Sequence, residues 1–127
     1  MTSPLSRYTL VIPVAAAVLL AACGSSTSNN NPKPAANVRV VAGASTKGFQ
    51  AYSPDTFTVT LASGGKVTWR NDDGGVQHTV RDTAAAPTFD TGIITGGDTA
   101  SIVFGAVGQY AYRCGIHPGM QGLIIVN

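Results

Sequence analysis

Glutamate does not occur anywhere in the 127 residues, and charged side chains make up only 11% of them. Eight Lys and Arg against six Asp leave a formal net charge of +2. So small a balance excludes a strongly basic nucleic-acid binder and an acidic disordered tail, so no nucleic-acid partner is expected. Histidine and cysteine are equally scarce, with two of each. That count excludes any His-rich metal cluster, such as a multicopper or dizinc centre. Long apolar runs are also missing. The run from Tyr8 to Ala22 covers about 15 residues, short of the roughly 20 that span a bilayer comfortably. What is present is a 44% hydrophobic content, which excludes a wholly disordered chain. Fifteen Gly and seven Pro, with abundant Thr, Val and Ala, favour many short strands and turns over helices. The length allows one domain, expected to act as a monomer.

Met1 to Arg7 is short and carries one positive residue, Arg7; the apolar run then ends in Leu20-Ala21-Ala22-Cys23. A positive start, an apolar stretch and small residues before a cut are the marks of a secretory signal. The Leu-Ala-Ala-Cys end resembles the lipobox of bacterial lipoproteins. That resemblance implies a signal peptide over residues 1–22, cleavage before Cys23 and a lipid on its thiol. An uncleaved anchor, or an ordinary signal with a chance Cys, remains the alternative. Residues 23–36 continue as GSSTSNNNPKPAA after the cysteine. This polar, Pro-containing stretch buries too little apolar surface to offset its ordering entropy, so it is expected to be a flexible tether. Its single Lys is too little for electrostatic attachment, so acyl chains would hold the protein to the membrane.

From residue 37 to 127 the pattern is all-β. Phe57, Val59 and Leu61 alternate with Thr56, Thr58 and Thr60; Val67 and Trp69 alternate with Thr68 and Arg70. Val76, His78 and Val80 share a face, as do Ile102 and Phe104, and Tyr110, Tyr112 and Cys114. Gly122 to Val126 is apolar throughout, as suits a strand covered on both sides. Ser63-Gly64-Gly65 is read as a hairpin loop. Val38 to Val41 would open the domain, Ala51 to Asp55 would be a short edge piece, and Ala84 to Pro87 an exposed loop. Seven or eight strands in about 90 residues predict a Greek-key sandwich of two antiparallel sheets.

One cluster carries chemistry. Cys114-Gly115-Ile116-His117-Pro118-Gly119-Met120 offers a thiolate, an imidazole and a thioether within one short loop. The remaining His, His78, faces inward on another predicted strand. Two His and one Cys with a weak axial Met form the signature of a blue-copper electron-transfer site. Soft sulfur donors favour copper, and Met is a poor donor to zinc, although zinc could bind in vitro. Singly, each residue has a plainer reading: a buried small thiol, a gap-filling Met, a hydrogen-bonded His. A Cys23–Cys114 disulfide is the other alternative. Yet an unpaired thiol in an oxidising compartment is a liability unless something occupies it.

Several further strings accompany the ligand loop: Val67-Thr68-Trp69-Arg70-Asn71, Gln77-His78-Thr79-Val80, Phe89-Asp90-Thr91-Gly92, and Gly108 to Cys114. With these, the stretch from about Thr56 to Val126 resembles a cupredoxin of the plastocyanin and amicyanin kind, the Cys-x₂-His-x₂-Met spacing being similar to amicyanin. The resemblance implies that His78, Cys114, His117 and Met120 bind one copper ion. It also implies that the Thr79 backbone N–H donates to the Cys114 sulfur, and that the His117 ring edge reaches the surface. Ile116 and Pro118 beside it would suit brief docking to a redox partner protein in the periplasm or at a membrane surface, or simply pack the loop. The expected role is a one-electron carrier and not an enzyme, since no His is left over for acid–base work. A copper storage or delivery protein is the alternative.

Overall fold

The computed structural model describes residues 32–127. The predicted signal peptide, Cys23 and most of the predicted tether lie outside the described residues. Residues 32–36 have no regular secondary structure. There Lys33 Nζ donates to Asp72 at 3.1 Å, and the Arg70 guanidinium donates to the Pro34 carbonyl at 2.7 Å.

Eight strands follow: β1 (Val38–Val40), β2 (Tyr52–Ser53), β3 (Thr56–Val59), β4 (Lys66–Asn71), β5 (Arg81–Asp82), β6 (Thr99–Val103), β7 (Gly108–Arg113) and β8 (Gln121–Val126). They form two four-stranded sheets, ordered β2-β1-β4-β6 and β3-β8-β7-β5. The strands are short because alternation by two is interrupted every few residues by Gly, Pro or Asp. In β4 the alternation is clean: Val67, Trp69 and Asn71 are buried, while Thr68 and Arg70 turn outward. Val38, Val40, Val67 and Trp69 from one sheet meet Tyr112, Ile124 and Val126 from the other, and this contact is the core.

The sandwich and its strand count agree with expectation; the pairing does not. Each sheet contains a parallel pair, β1 with β4 and β3 with β8, so the sheets are mixed rather than antiparallel. Ser63-Gly64-Gly65 is not a hairpin. The chain there makes a one-turn 3₁₀ helix (Leu61–Ser63) and crosses from one sheet to the other. Gly65 has φ 62°, and a side-chain carbon on it would run into the Phe104 carbonyl, so the glycine serves a close crossing. Leu61, which shares the Phe57 and Val59 face by alternation, sits exposed on that turn. Residues 76–80 form no strand either. His78 makes an isolated antiparallel bridge with Ile94, through N–H to O contacts of 3.2 and 2.7 Å.

Candidate metal centre

Consecutive strands pair side by side only twice: β1 with β2, and β7 with β8. The β7–β8 connection is the Cys114–Met120 loop. Its register, Tyr112 opposite Gly122 and Arg113 opposite Gln121, continues into a bond from the Cys114 N–H to the Met120 carbonyl at 3.1 Å. The Met120 N–H closes the turn on the His117 carbonyl at 3.0 Å. Two backbone bonds therefore fix Cys114, His117 and Met120 relative to one another. Cys114 and Met120 are fully buried, and His117 is half-buried.

His78 reaches the same point from the irregular segment pinned to Ile94. Its ring is fully buried, and its centroid lies 5.0 Å from that of His117. Cys114 Sγ stands 3.9 Å from His78 Nδ1 and 3.8 Å from His117 Nδ1. Using zinc's bond lengths of about 2.0 Å to nitrogen and 2.3 Å to sulfur as a stand-in, two donors on one trigonal ion lie roughly 3.8 Å apart. The separations fit one ion shared by all three residues, whose donor atoms lie within 4.8 Å of one another.

The surrounding groups hold the donors in place. The Thr79 N–H donates to Cys114 Sγ at 3.4 Å, the contact the resemblance implies. The Thr79 hydroxyl accepts from the Gly115 N–H at 2.7 Å, tying the ligand loop to the His78 segment. Tyr52, buried on β2, donates its phenol proton to the Thr79 carbonyl at 2.9 Å. Burial, and after it the charge of Cys114, push that phenol far above its usual pKa. The second ring nitrogen of His78, Nε2, lies 3.0 Å from Asp73 Oδ2. The Gly43 backbone N–H above all, and His78 and the Ala44 N–H after it, hold the Asp73 carboxyl below its usual range against the opposing effect of burial. With Nε2 directed at this carboxylate, Nδ1 is the ring nitrogen that faces the thiol.

A sequence model of the copper-binding proteins of the plastocyanin/azurin family matches residues 22–127. The chain belongs to that family. A purple cupredoxin from Nitrosopumilus maritimus superposes with a TM-score of 0.64 at 28% identity, covering 73% of this chain and all of that one. A mutant amicyanin in its oxidised form superposes with a TM-score of 0.59 at 24% identity, covering 77% of this chain and 87% of that one, a likeness of fold. A copper-containing nitrite reductase from Thermus scotoductus gives 0.52 at 26% identity, over 60% of this chain and 20% of that one. No curated protein sequence matches. As in a cupredoxin, His78, Cys114, His117 and Met120 form the arrangement of a type 1 copper site, and copper is the cofactor.

The donor atoms of His78, Cys114 and His117 come together, the Thr79 N–H meets the sulfur, and Met120 is buried at the end of the same loop. Ile116 is 46% exposed and Pro118 is exposed, both on the loop next to His117. Cys23 lies outside the described residues. Sequence reasoning missed three residues. Asp73 sat in a string legible only as a turn, and Tyr52 in a segment read only as a short edge piece, which β2 is. Phe49, 65% exposed, lies on the 3₁₀ turn Gly48–Ala51. That turn abuts the ligand loop: a carbon added at Gly48 would lie 3.9 Å from the Gly119 carbonyl oxygen.

Proposed function

We infer that this cupredoxin is a one-electron carrier working outside the cytoplasm, held at a membrane by lipid on Cys23. The observation that carries the redox reading is the fixed donor set: three donor atoms within 4.8 Å, clamped by backbone bonds and by Thr79. Bound there, copper supplies a single electron that is gained or lost. The protein's part is to keep the donors in one arrangement through both states, so that little reorganisation accompanies each transfer. Burial of His78, Cys114 and Met120 favours retention of the ion over delivery of it. Both His of the chain are at the centre, which leaves none for acid–base chemistry.

His117 is the ligand nearest to solvent, and Ile116 and Pro118 give its loop a small exposed apolar surface. Small apolar faces suit brief encounters with a redox partner protein in the periplasm or at the membrane. Adding Cu(II) to the protein is expected to give an intense blue thiolate-to-copper band, abolished by Cys114→Ala. A colourless Cu(II) complex of the unaltered chain would refute the assignment.

A further inference from the structure

Two adjacent aspartates follow β4, and the structure treats them in opposite ways. Asp72 is surrounded by cations: Arg70 at 2.8 Å, Arg39 at 2.6 Å and Lys33 at 3.1 Å. Asp73 has no Lys or Arg partner among the described residues; its only ionisable contact is His78. Its side chain is 9% exposed, and that of His78 is fully buried. A buried carboxylate without a cation is costly unless something offsets it.

Backbone dipoles offset part of that cost. Oδ1 accepts from the Gly43 N–H at 2.8 Å, and Oδ2 from the Ala44 N–H at 3.3 Å. Asp73's own N–H donates to Asn71 Oδ1 at 2.9 Å, and the Asn71 amide donates to the carbonyls of Val76 and Ile94 at 2.7 and 2.9 Å. Ile94 is the bridge partner of His78. The carboxylate is therefore held from three directions, and the same network holds the segment that carries the ligand.

We propose that Asp73 is a positioning residue of the metal centre, which holds the His78 ring through Nε2 and places behind it a negative charge that no Lys or Arg pairs. The inference rests on the copper reading above and adds a second consequence to it. A fixed anion favours the more highly charged oxidation state, so Asp73 holds the reduction potential below that of the same site without the charge. Neutral dipoles around a ligand histidine could orient the ring, but they would not supply this charge. Hydrogen-bonded partners of metal-bound histidines typically matter by about 10- to 100-fold in affinity.

Two measurements on the full-length chain decide the matter. In the unaltered, copper-free protein, ¹⁵N chemical shifts of the imidazoles are expected to show His78 protonated on Nε2; an unprotonated Nε2 would overturn the proposal. In the copper-loaded Asp73→Asn variant, Cu(II) affinity is expected to fall roughly tenfold relative to Cu(I), which for one electron raises the potential by about 59 mV. A blue Asp73→Asn protein with an unchanged or lower potential overturns the Asp73 assignment and leaves the copper site standing. An unaltered chain that never turns blue overturns the copper site itself. Should Asp73→Asn not fold, the tautomer in the unaltered protein still decides.

Discussion

Gly122→Ala sets two physical effects against each other. Gly in a strand interior costs backbone entropy, so by propensity alone its replacement by Ala should stabilise by about 0.5–1 kcal/mol. Packing predicts the opposite sign. Gly122 lies directly opposite Tyr112 across the β7–β8 ladder, and the Tyr112 ring folds over it. A carbon added at Gly122 would collide with Tyr112 Cζ and Oη and lie 2.9 Å from Cε1, where carbon atoms normally keep about 3.5–4.0 Å. Two aromatic neighbours block the ring from withdrawing into the core. It is fully buried, with Tyr52 edge-on at 4.9 Å and Trp69 edge-on at 5.5 Å. Tyr52 is itself tied to the Thr79 carbonyl. Overpacking of this kind costs about 1–3 kcal/mol, and ring atoms wedged by two aromatic neighbours belong at the upper end. Net of propensity, the variant should lose about 2 kcal/mol, lowering Tm by about 8–16 °C for a domain of this size. Thermal unfolding of the copper-free protein reads this directly, with Trp69 as the sole intrinsic tryptophan probe. Combining the change with Tyr112→Leu should remove most of its cost, a coupling of about 1–2 kcal/mol in a double-mutant cycle. A Gly122→Ala protein as stable as its parent, or more so, would refute the packing account.

Met120→Leu should keep the blue band and raise the reduction potential, since the weak thioether donor tunes the potential while Cys114 makes the colour; the absorption spectrum checks the first and voltammetry the second, and a lower potential would contradict the role given to Met120. Asp72→Asn should cost about 1–2 kcal/mol at pH 7, mainly through Arg70, because Lys33 and Arg39 are largely exposed. The Arg70 hydrogen bonds hold the folded-state carboxyl of Asp72 well below its usual range. Its stabilisation is therefore complete above the unfolded value near 4 and fades as pH falls through the lowered folded value. Denaturation midpoints of parent and variant should converge in strong acid, and a gap independent of pH would exclude this linkage. Cys23→Ser should move the protein from the membrane fraction to the soluble one, as read by fractionation of expressing cells; unchanged membrane association would reject the lipid anchor.

The ligand residues were legible because their signal is local. Cys114, His117 and Met120 stand in one loop, and a period of two already placed Cys114 on the inner face with Tyr112. Faces of strands were legible for the same reason, as β4 shows. Partners of strands were not. Periodicity says which side of a strand is buried and nothing about its neighbour, and here the pairs β1–β4 and β3–β8 join segments distant in sequence. The Ser63–Gly65 string misled because a Gly pair serves equally for a hairpin and for a crossing that must pass the Phe104 carbonyl. Residues 76–80 alternate like a strand, but only the bridge at His78 forms.

The stretch from Gly43 to Tyr52, which leads from β1 into β2, supports the centre from three sides. Gly43 and Ala44 hold the carboxylate behind His78, Tyr52 holds the Thr79 carbonyl whose neighbouring N–H meets the thiolate sulfur, and Gly48 lies against the ligand loop at Gly119. Two of these three supports act through backbone atoms of residues 43–48, so they impose almost no side-chain pattern that a reading of residue types could detect. Their one side-chain requirement, Tyr52, is an aromatic residue of the kind that any core accepts. Geometry at a metal centre can thus be set by a segment whose sequence looks indifferent, provided its N–H groups and its short turns arrive at the right places. What the sequence must supply in such a segment is backbone freedom: Gly43 and Gly48 have φ of 69° and 56°, the left-handed region that favours glycine, and beyond that no side-chain type is specified at residues 43–48.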